Sequence, residues 1–143
     1  MQRSLNEKIS LWYLALNFLI PGVWALFHPQ GFYQNFPLPG HAWVASDGPY
    51  NEHLLRDFGG LQLGLAVLVL FCLFRPQEVG VRVTAVVLLC FGVPHLIYHI
   101  GHVEAFGQPL DMVAAILLLA LQVMVPLLLL VHAQPSNKPD KQA

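Results

Sequence analysis

Three histidines stand at helical spacing in the apolar stretch PHLIYHIGH, residues 94–102. His95, His99 and His102 occupy positions i, i+4 and i+7, so on a helix they share a stripe about 60° wide. Imidazole ligates transition metals, and it is also the side chain that exchanges protons near neutral pH. The spacing therefore predicts either a metal site or a proton-transferring site on one helix face.

A second polar stripe begins a long apolar segment that precedes the histidine triplet in the chain. His53 and Asp57 lie at positions i and i+4, and Gly60 and Gly64 continue the same face at i+7 and i+11. Glycines that share a face allow a neighbouring helix to approach closely. This stripe therefore predicts a close helix contact with an imidazole and a carboxylate at one end of it.

The two stripes are expected to meet, because the segments that carry them are joined by a short turn and should be antiparallel neighbours. The leading arrangement is one ion held by His53, Asp57, His99 and one flanking histidine. His95 and His102 stand about 10 Å apart along the helix axis, too far for both to bind it without distortion. Nitrogen and oxygen ligands suit zinc, iron, copper or manganese, and haem between two histidines is less favoured. Two ions, or a proton relay, are the alternatives.

Other polar residues near the stripes are assigned supporting roles around the ion. They are Glu52, Arg56, Glu104 and Asp111. Some also have a purely structural explanation, since Glu52 and Arg56 form an i,i+4 pair in the favourable order and Asp111 would lie in the first turn of a helix. Asn17, Gln62 and Gln122 are expected to form hydrogen bonds between helices, and Gln62, which points away from the His53 stripe, is not placed in the site.

The composition indicates a membrane protein. Apolar residues make up 56% of the 143 residues, and charged residues only 10%. A water-soluble domain carries about 25% charged residues. The net charge of −1 gives no basic surface for nucleic acid, so nucleic-acid binding is excluded from the expected functions.

Four apolar segments are long enough to cross a bilayer as helices. They cover residues 9–27, 53–74, 83–100 and 112–131. Helices satisfy their own backbone hydrogen bonds within the hydrocarbon region. We therefore predict an all-α fold, an integral membrane four-helix bundle formed by residues 1–132.

Lys and Arg predict the orientation of this bundle. Six of the seven basic residues precede the first span, border the turn between spans two and three, or lie in the tail at residues 133–143. Arg56 is the exception. The positive-inside rule then places both termini in the cytoplasm, with a disordered tail, and puts the histidine-rich face outside. The outer loop, residues 28–52, is rich in aromatic residues, and we interpret it as an interfacial anchor or a lid over a site.

The chain resembles the DoxX-like group of small bacterial four-helix membrane proteins. The resemblance extends from about Leu11 to Val131 and rests on the four spans, the long first outer loop and the opening RDFGGLQLGLAVLVL of span two. The segments PGHAWVASDGPYNEHLLRDFGG and VPHLIYHIGH further resemble an actinobacterial-type branch. The resemblance implies the four-helix fold and a bacterial plasma-membrane location, and it assigns no catalytic residue, since the histidine triplet is not general in the group.

Three functions are compatible with these features, and whether the protein is an enzyme stays open. The leading hypothesis is a metal-binding membrane protein that acts on a lipophilic molecule. The second is metal-free acid–base catalysis by an isomerase or cyclase of a lipid. The third is a non-enzymatic accessory subunit or a cation or proton pathway. The expected partners are membrane lipids, a lipophilic small molecule, and a second copy of the chain or a larger membrane protein.

Overall fold

The computed structural model describes residues 3–132, which form helices and no β-strand. The elements in chain order are α1 (Leu5–Phe27), α2 (Pro29–Asn35), α3 (Trp43–Asp47), α4 (Glu52–Phe74), α5 (Val81–Gly101), a 3-10 helix (Val103–Phe106) and α6 (Pro109–His132). Helices α1, α4, α5 and α6 are long and apolar enough to cross a membrane. The four predicted spans are thereby confirmed, and the predicted tail lies outside the described residues.

Polar side chains at the helix starts explain where two of the long helices begin. The Ser4 hydroxyl accepts a hydrogen bond from the backbone N–H of Glu7 at 3.2 Å. The Asn51 side chain accepts one from the N–H of Leu54 at 3.1 Å. Such caps satisfy backbone donors that the first turn of a helix leaves free. The apolar run that follows each cap then continues as one uninterrupted helix.

The four long helices associate as two pairs, α1 with α4 and α5 with α6, and the contact between α4 and α5 is much smaller. Two glycines explain the closeness of the first pair. A Cβ atom on Gly59 would lie 2.5 Å from the backbone nitrogen of Leu26, and one on Gly22 would lie 2.9 Å from the nitrogen of Leu63. The backbones of α1 and α4 therefore touch at a point where only glycine fits.

The two ends of the bundle differ in their packing. At the terminal end, where α1 begins and α6 ends, buried apolar side chains fill the interior; they include Leu11, Leu14, Phe18, Val69 and Leu88. At the opposite end, called the loop end here, two smaller clusters of buried apolar residues lie beneath the connecting segments. The short helices α2 and α3 and the 3-10 helix pack against one another there. The fold thus combines a solid half with a half that is covered by the connecting segments.

Candidate functional site

A cavity of ≈ 360 Å³ lies between the two helix pairs in the half of the bundle nearest the loop end. All four long helices, together with α2, α3 and the 3-10 helix, contribute residues to its wall. Most of the wall is apolar or aromatic, and a small number of polar side chains interrupt it. A pocket of this size and character is typical of sites that bind small molecules.

Aromatic residues of the long connection form the loop-end wall of the cavity. Phe32, Phe36 and Trp43 line it together with Phe106 of the 3-10 helix. The rings of Phe36 and Trp43 meet edge to face at a centroid distance of 6.2 Å, and those of Trp43 and Phe106 at 5.4 Å. Phe32 and Trp43 are buried. The segment interpreted as an anchor or a lid therefore packs over the internal cavity.

A contact between a partly exposed histidine and a buried carboxylate fastens this cover to α6. His41 Nδ1 lies 2.7 Å from Asp111 Oδ1, and the Asp111 side chain is only 6% exposed. Asp111 is in the first turn of α6, where the positive end of the helix dipole also favours a carboxylate. Asp111 is therefore a first-turn acid of α6, as its structural explanation predicted. Its partner is His41 of the connection rather than a histidine of the triplet.

Two of the three triplet histidines line the cavity. His95 and His99 both face it from α5, and their rings meet edge to face at a centroid distance of 4.7 Å. The ring of His95 stacks on Phe91 at 5.0 Å, and the ring of His99 packs against Phe106 at 5.4 Å. Apolar surroundings therefore hold both imidazoles at the cavity wall.

His102 is the third member of the triplet, and it does not line the cavity. Its ring is exposed, stacks on Tyr98 at 4.2 Å, and has Nδ1 2.8 Å from the Tyr98 carbonyl oxygen. It follows the last residue of α5 and marks the end of that helix. The i, i+4, i+7 stripe is therefore divided, with two imidazoles at the cavity and one at the surface.

The expected meeting of the two stripes is not found, and this expectation was wrong. His53 and Asp57 form an exposed pair, 3.4 Å apart, with side-chain exposures of 88% and 64%. The face of α4 that lines the cavity carries Leu55, Phe58 and Gln62 instead. The physical reason is the pairing of the helices, since α4 turns its inner face toward α1 rather than toward α5.

The same pairing corrects the expected glycine contact. A Cβ on Gly60 or Gly64 would have no atom within 4 Å, whereas Gly59 contacts the α1 backbone. Within residues 3–132, no group of three or more His, Cys, Asp or Glu side chains is close enough to hold a metal ion. The ligand set predicted from His53, Asp57 and the triplet is therefore not assembled in the described part of the chain.

The remaining supporting residues lie outside the cavity. Arg56 pairs with Glu52, with 2.8 Å between Nη2 and Oε1, as the sequence spacing suggests. The Arg56 guanidinium also donates a 2.6 Å hydrogen bond to the carbonyl oxygen of Leu26, at the end of α1. Glu104 is exposed in the 3-10 helix. Arg56 and Glu52 thus brace the start of α4 and the end of α1, and none of these three residues lines the cavity.

Three amide side chains that were expected to form hydrogen bonds between helices line the cavity, although none of them was placed in the predicted site. Asn17, Gln62 and Gln122 all line the cavity from the middle of their helices. The Gln122 amide donates a 2.9 Å hydrogen bond to Asn17 Oδ1, which joins α6 to α1. Gln62 is 3% exposed and lines the cavity, so its exclusion from the predicted site was wrong. The sequence does contain a signal for this position, since an amide in an otherwise apolar membrane helix usually faces other protein groups in the bundle interior.

Several polar atoms at the cavity are buried and have no hydrogen-bond partner among the described residues. They are Trp43 Nε1, Gln62 Oε1, His99 Nδ1 and Gln122 Oε1. A buried polar group without a partner costs roughly 1–3 kcal/mol, so native proteins rarely leave one unsatisfied. Four residues of one cavity wall therefore carry a buried polar atom that the described residues leave without a hydrogen-bond partner.

One carboxylate joins this wall. Asp47, the last residue of α3, lines the cavity together with His95 and His99 and is exposed to the outside. No other Asp or Glu of the described residues lines it. The cavity therefore carries two imidazoles and one carboxylate near the loop end, and three amides deeper in the bundle.

The fold and the cavity define a multi-pass helical membrane protein with a ligand-sized internal site. The chain belongs to the family described as Domain of unknown function, DUF4345, whose model matches residues 7–132. No curated protein and no solved structure matches the chain. The match thus covers α4, α5 and α6 in full, α1 from Glu7 onward, and every residue of the cavity wall.

Proposed function

We propose that this protein binds a lipophilic small molecule in the cavity and that His95 and His99, without a metal ion, add and remove protons at carbon atoms beside its polar group. The observation that carries the proposal is a pair of contacting imidazoles in the wall of an apolar, ligand-sized cavity. The class of reaction is the one expected of an isomerase or cyclase of a lipid, in which a proton is added at one position and removed at another.

The chemistry of the two imidazoles supports this function. Neutral histidine has one nitrogen that donates and one that accepts, so two adjacent rings can act as acid and base. His99 lines the cavity, and its Nδ1 is buried and has no hydrogen-bond partner among the described residues. Asp47 lines the same cavity and is exposed, so its carboxylate can exchange protons between the histidines and water.

The orientation that fits this function has both termini in the cytoplasm and the loop end outside the bacterial plasma membrane. Four basic residues near the terminal end support it, namely Arg3, Lys8, Arg75 and Arg82, because the positive-inside rule keeps such groups in the cytoplasm. In this orientation Asp47 meets extracytoplasmic water, and the cavity reaches from that surface toward the middle of the bilayer.

The first experiment identifies the bound molecule. The protein is purified in mild detergent, extracted with organic solvent and analysed by mass spectrometry, alongside His95→Ala, His99→Ala and His102→Ala. We expect a lipophilic compound in stoichiometric amount from the wild type and from His102→Ala, with strong depletion in the other two variants. Equal recovery from all three variants would overturn the role of the histidine pair.

A second experiment tests proton transfer separately from binding. The protein with its copurified compound is incubated in deuterated water, and deuterium in carbon-bound positions of the compound is measured. We expect incorporation with wild-type protein and with His102→Ala, and none with His99→Ala reloaded with the same compound. Binding without incorporation would leave a carrier or accessory role as the function.

The metal hypothesis makes a different prediction for the same samples. His95 and His99 supply two imidazole ligands, and a third ligand would have to come from Asp47 or from the bound molecule. Elemental analysis and an absorption spectrum distinguish zinc, a coloured metal and haem from protein alone. A stoichiometric metal that is lost in both His95→Ala and His99→Ala would replace proton transfer with metal chemistry at the same site.

A further inference from the structure

The cavity has a second polar region that the histidines do not explain. Asn17, Gln62 and Gln122 come from three different helices and line the inner part of the same cavity. The side chains of Gln62 and Gln122 are 3% and 6% exposed, yet the Oε1 atom of each has no partner among the described residues. A purely structural amide cluster would satisfy these acceptors, because leaving them unpaired is costly in an apolar interior.

The distance between the two polar regions follows from helix geometry. Gln62 is ten residues after the start of α4, and His99 is two residues before the end of α5, both counted from the loop end. At 1.5 Å per residue these positions lie about 15 Å and about 3 Å below that end, so they are about 12 Å apart along the bundle. Apolar side chains, among them Phe58 and Leu119, also line the cavity.

We infer that the amide cluster of Asn17, Gln62 and Gln122 is a second binding subsite, which takes a hydroxyl group at the far end of the ligand. This inference rests on the proposed function and specifies its ligand as a lipophilic molecule with polar groups at two ends. A hydroxyl fits because it both donates and accepts, whereas the unpartnered oxygens of Gln62 and Gln122 need a donor. A hydroxyl donates one hydrogen bond and so satisfies one of these two oxygens, whereas a carbonyl or an ether at this end would satisfy neither.

A second hydroxyl on a ligand should weaken its binding to a purely apolar cavity and strengthen its binding to a cavity with a second polar subsite. A second hydroxyl on an aliphatic chain weakens binding to an apolar pocket, because the group must lose its water without a replacement partner. It strengthens binding only where protein groups accept and donate hydrogen bonds to it. One net hydrogen bond corresponds to about fivefold in affinity.

The probes are decanol, a decanediol with a hydroxyl at each end, and the shorter hexanediol. Their affinities are measured from the ligand-dependent rise in the unfolding temperature of the full-length protein in mild detergent. We expect the decanediol to bind at least about fivefold tighter than decanol. We expect hexanediol to lose that advantage, because it is too short to reach both polar regions.

The decisive variant is Gln62→Leu, which has nearly the same volume and removes a buried polar group, so its folding should be retained. We expect it to abolish the preference, with the affinity for the decanediol falling at least about fivefold relative to the affinity for decanol. The matched control is Gln108→Leu, since Gln108 is exposed and does not line the cavity. It should keep the preference of the wild type.

Two failures can be told apart. If decanol and the decanediol bind equally and His99→Ala weakens both, the second subsite is refuted and the proposed function stands. If neither alcohol binds and no compound copurifies with the protein, the proposed function itself is refuted. A preference for the decanediol that persists in Gln62→Leu also refutes the subsite, because the amide cluster would not be its source.

Discussion

The contact of α1 with α4 at Gly59 gives the most quantitative prediction, since it sets the position of the α4 cavity wall. In Gly59→Ala the added Cβ would lie 2.5 Å from the backbone nitrogen of Leu26 and 2.9 Å from the carbonyl oxygen of Gly22. Non-bonded heavy atoms are most stable about 3.5–4.0 Å apart, so the helices must separate by roughly 1 Å. Neither neighbour is a flexible side chain that could move aside, because both are backbone atoms.

The expected loss of stability is about 1–3 kcal/mol, which is the usual result of overpacking a closely packed interior. The matched control is Gly60→Ala, because a Cβ there has no atom within 4 Å and alanine favours a helix over glycine. We therefore expect Gly60→Ala to unfold at the wild-type temperature or above it.

The measurement is thermal unfolding of both variants in the same mild detergent, followed by near-ultraviolet circular dichroism. Gly59→Ala should unfold several degrees below the wild type, and its ligand affinity should fall because Phe58 and Gln62 move with α4. Identical unfolding of Gly59→Ala and the wild type would refute the backbone contact. A comparable loss in Gly60→Ala would show that the other face of α4 is the packed one.

Three further substitutions test the segments around the cavity. His41→Ala removes the partner of the buried Asp111 carboxylate, so the free energy of unfolding should fall by about 1–3 kcal/mol. Backbone amide hydrogen exchange across α2 and α3 should also become faster. Unchanged exchange would contradict the role of His41 in fastening these helices to α6. Arg56→Ala loses the hydrogen bond to the Leu26 carbonyl and should cost about 1 kcal/mol in thermal unfolding, which Arg56→Lys should not fully restore. His53→Ala should change the free energy of unfolding by less than about 0.5 kcal/mol, since its side chain is 88% exposed, and a larger loss would place it in a packed site.

Hydropathy was sufficient to locate the long helices, because a membrane-crossing segment must be apolar over nearly its whole length. The four predicted spans correspond to α1, α4, α5 and α6, with ends that differ by a few residues. Helical periodicity also placed His95 and His99 on one face, and that pair does line the cavity. These predictions depended only on local composition and on the geometry of a single helix.

Helix pairing could not be predicted in the same way. Periodicity shows which residues share a face, and it does not show which face turns inward when lipid is as apolar as the interior. The short turn between α4 and α5 suggested that these two helices would be the closest neighbours. The close contact of Gly22 with α4 makes α1 the partner instead, and this turns His53 and Asp57 outward. The DoxX-like resemblance stays a prediction. The two adjacent glycines in the segment that carries this resemblance have different roles, since Gly59 contacts the α1 backbone and Gly60 has open space beside it.

The two helix pairs can form one after the other, because the members of each pair are consecutive long helices in the chain. The ribosome completes α1 and α4 before α5 emerges, so the first hairpin can close in the membrane on its own, and the α5–α6 hairpin can follow as a second unit. The hydrogen bond between Asn17 and Gln122 spans 105 residues and forms only when the two hairpins dock. The cavity is therefore the last part of the molecule to be made, and a chain that stops before α6 can contain a folded hairpin and still have no binding site.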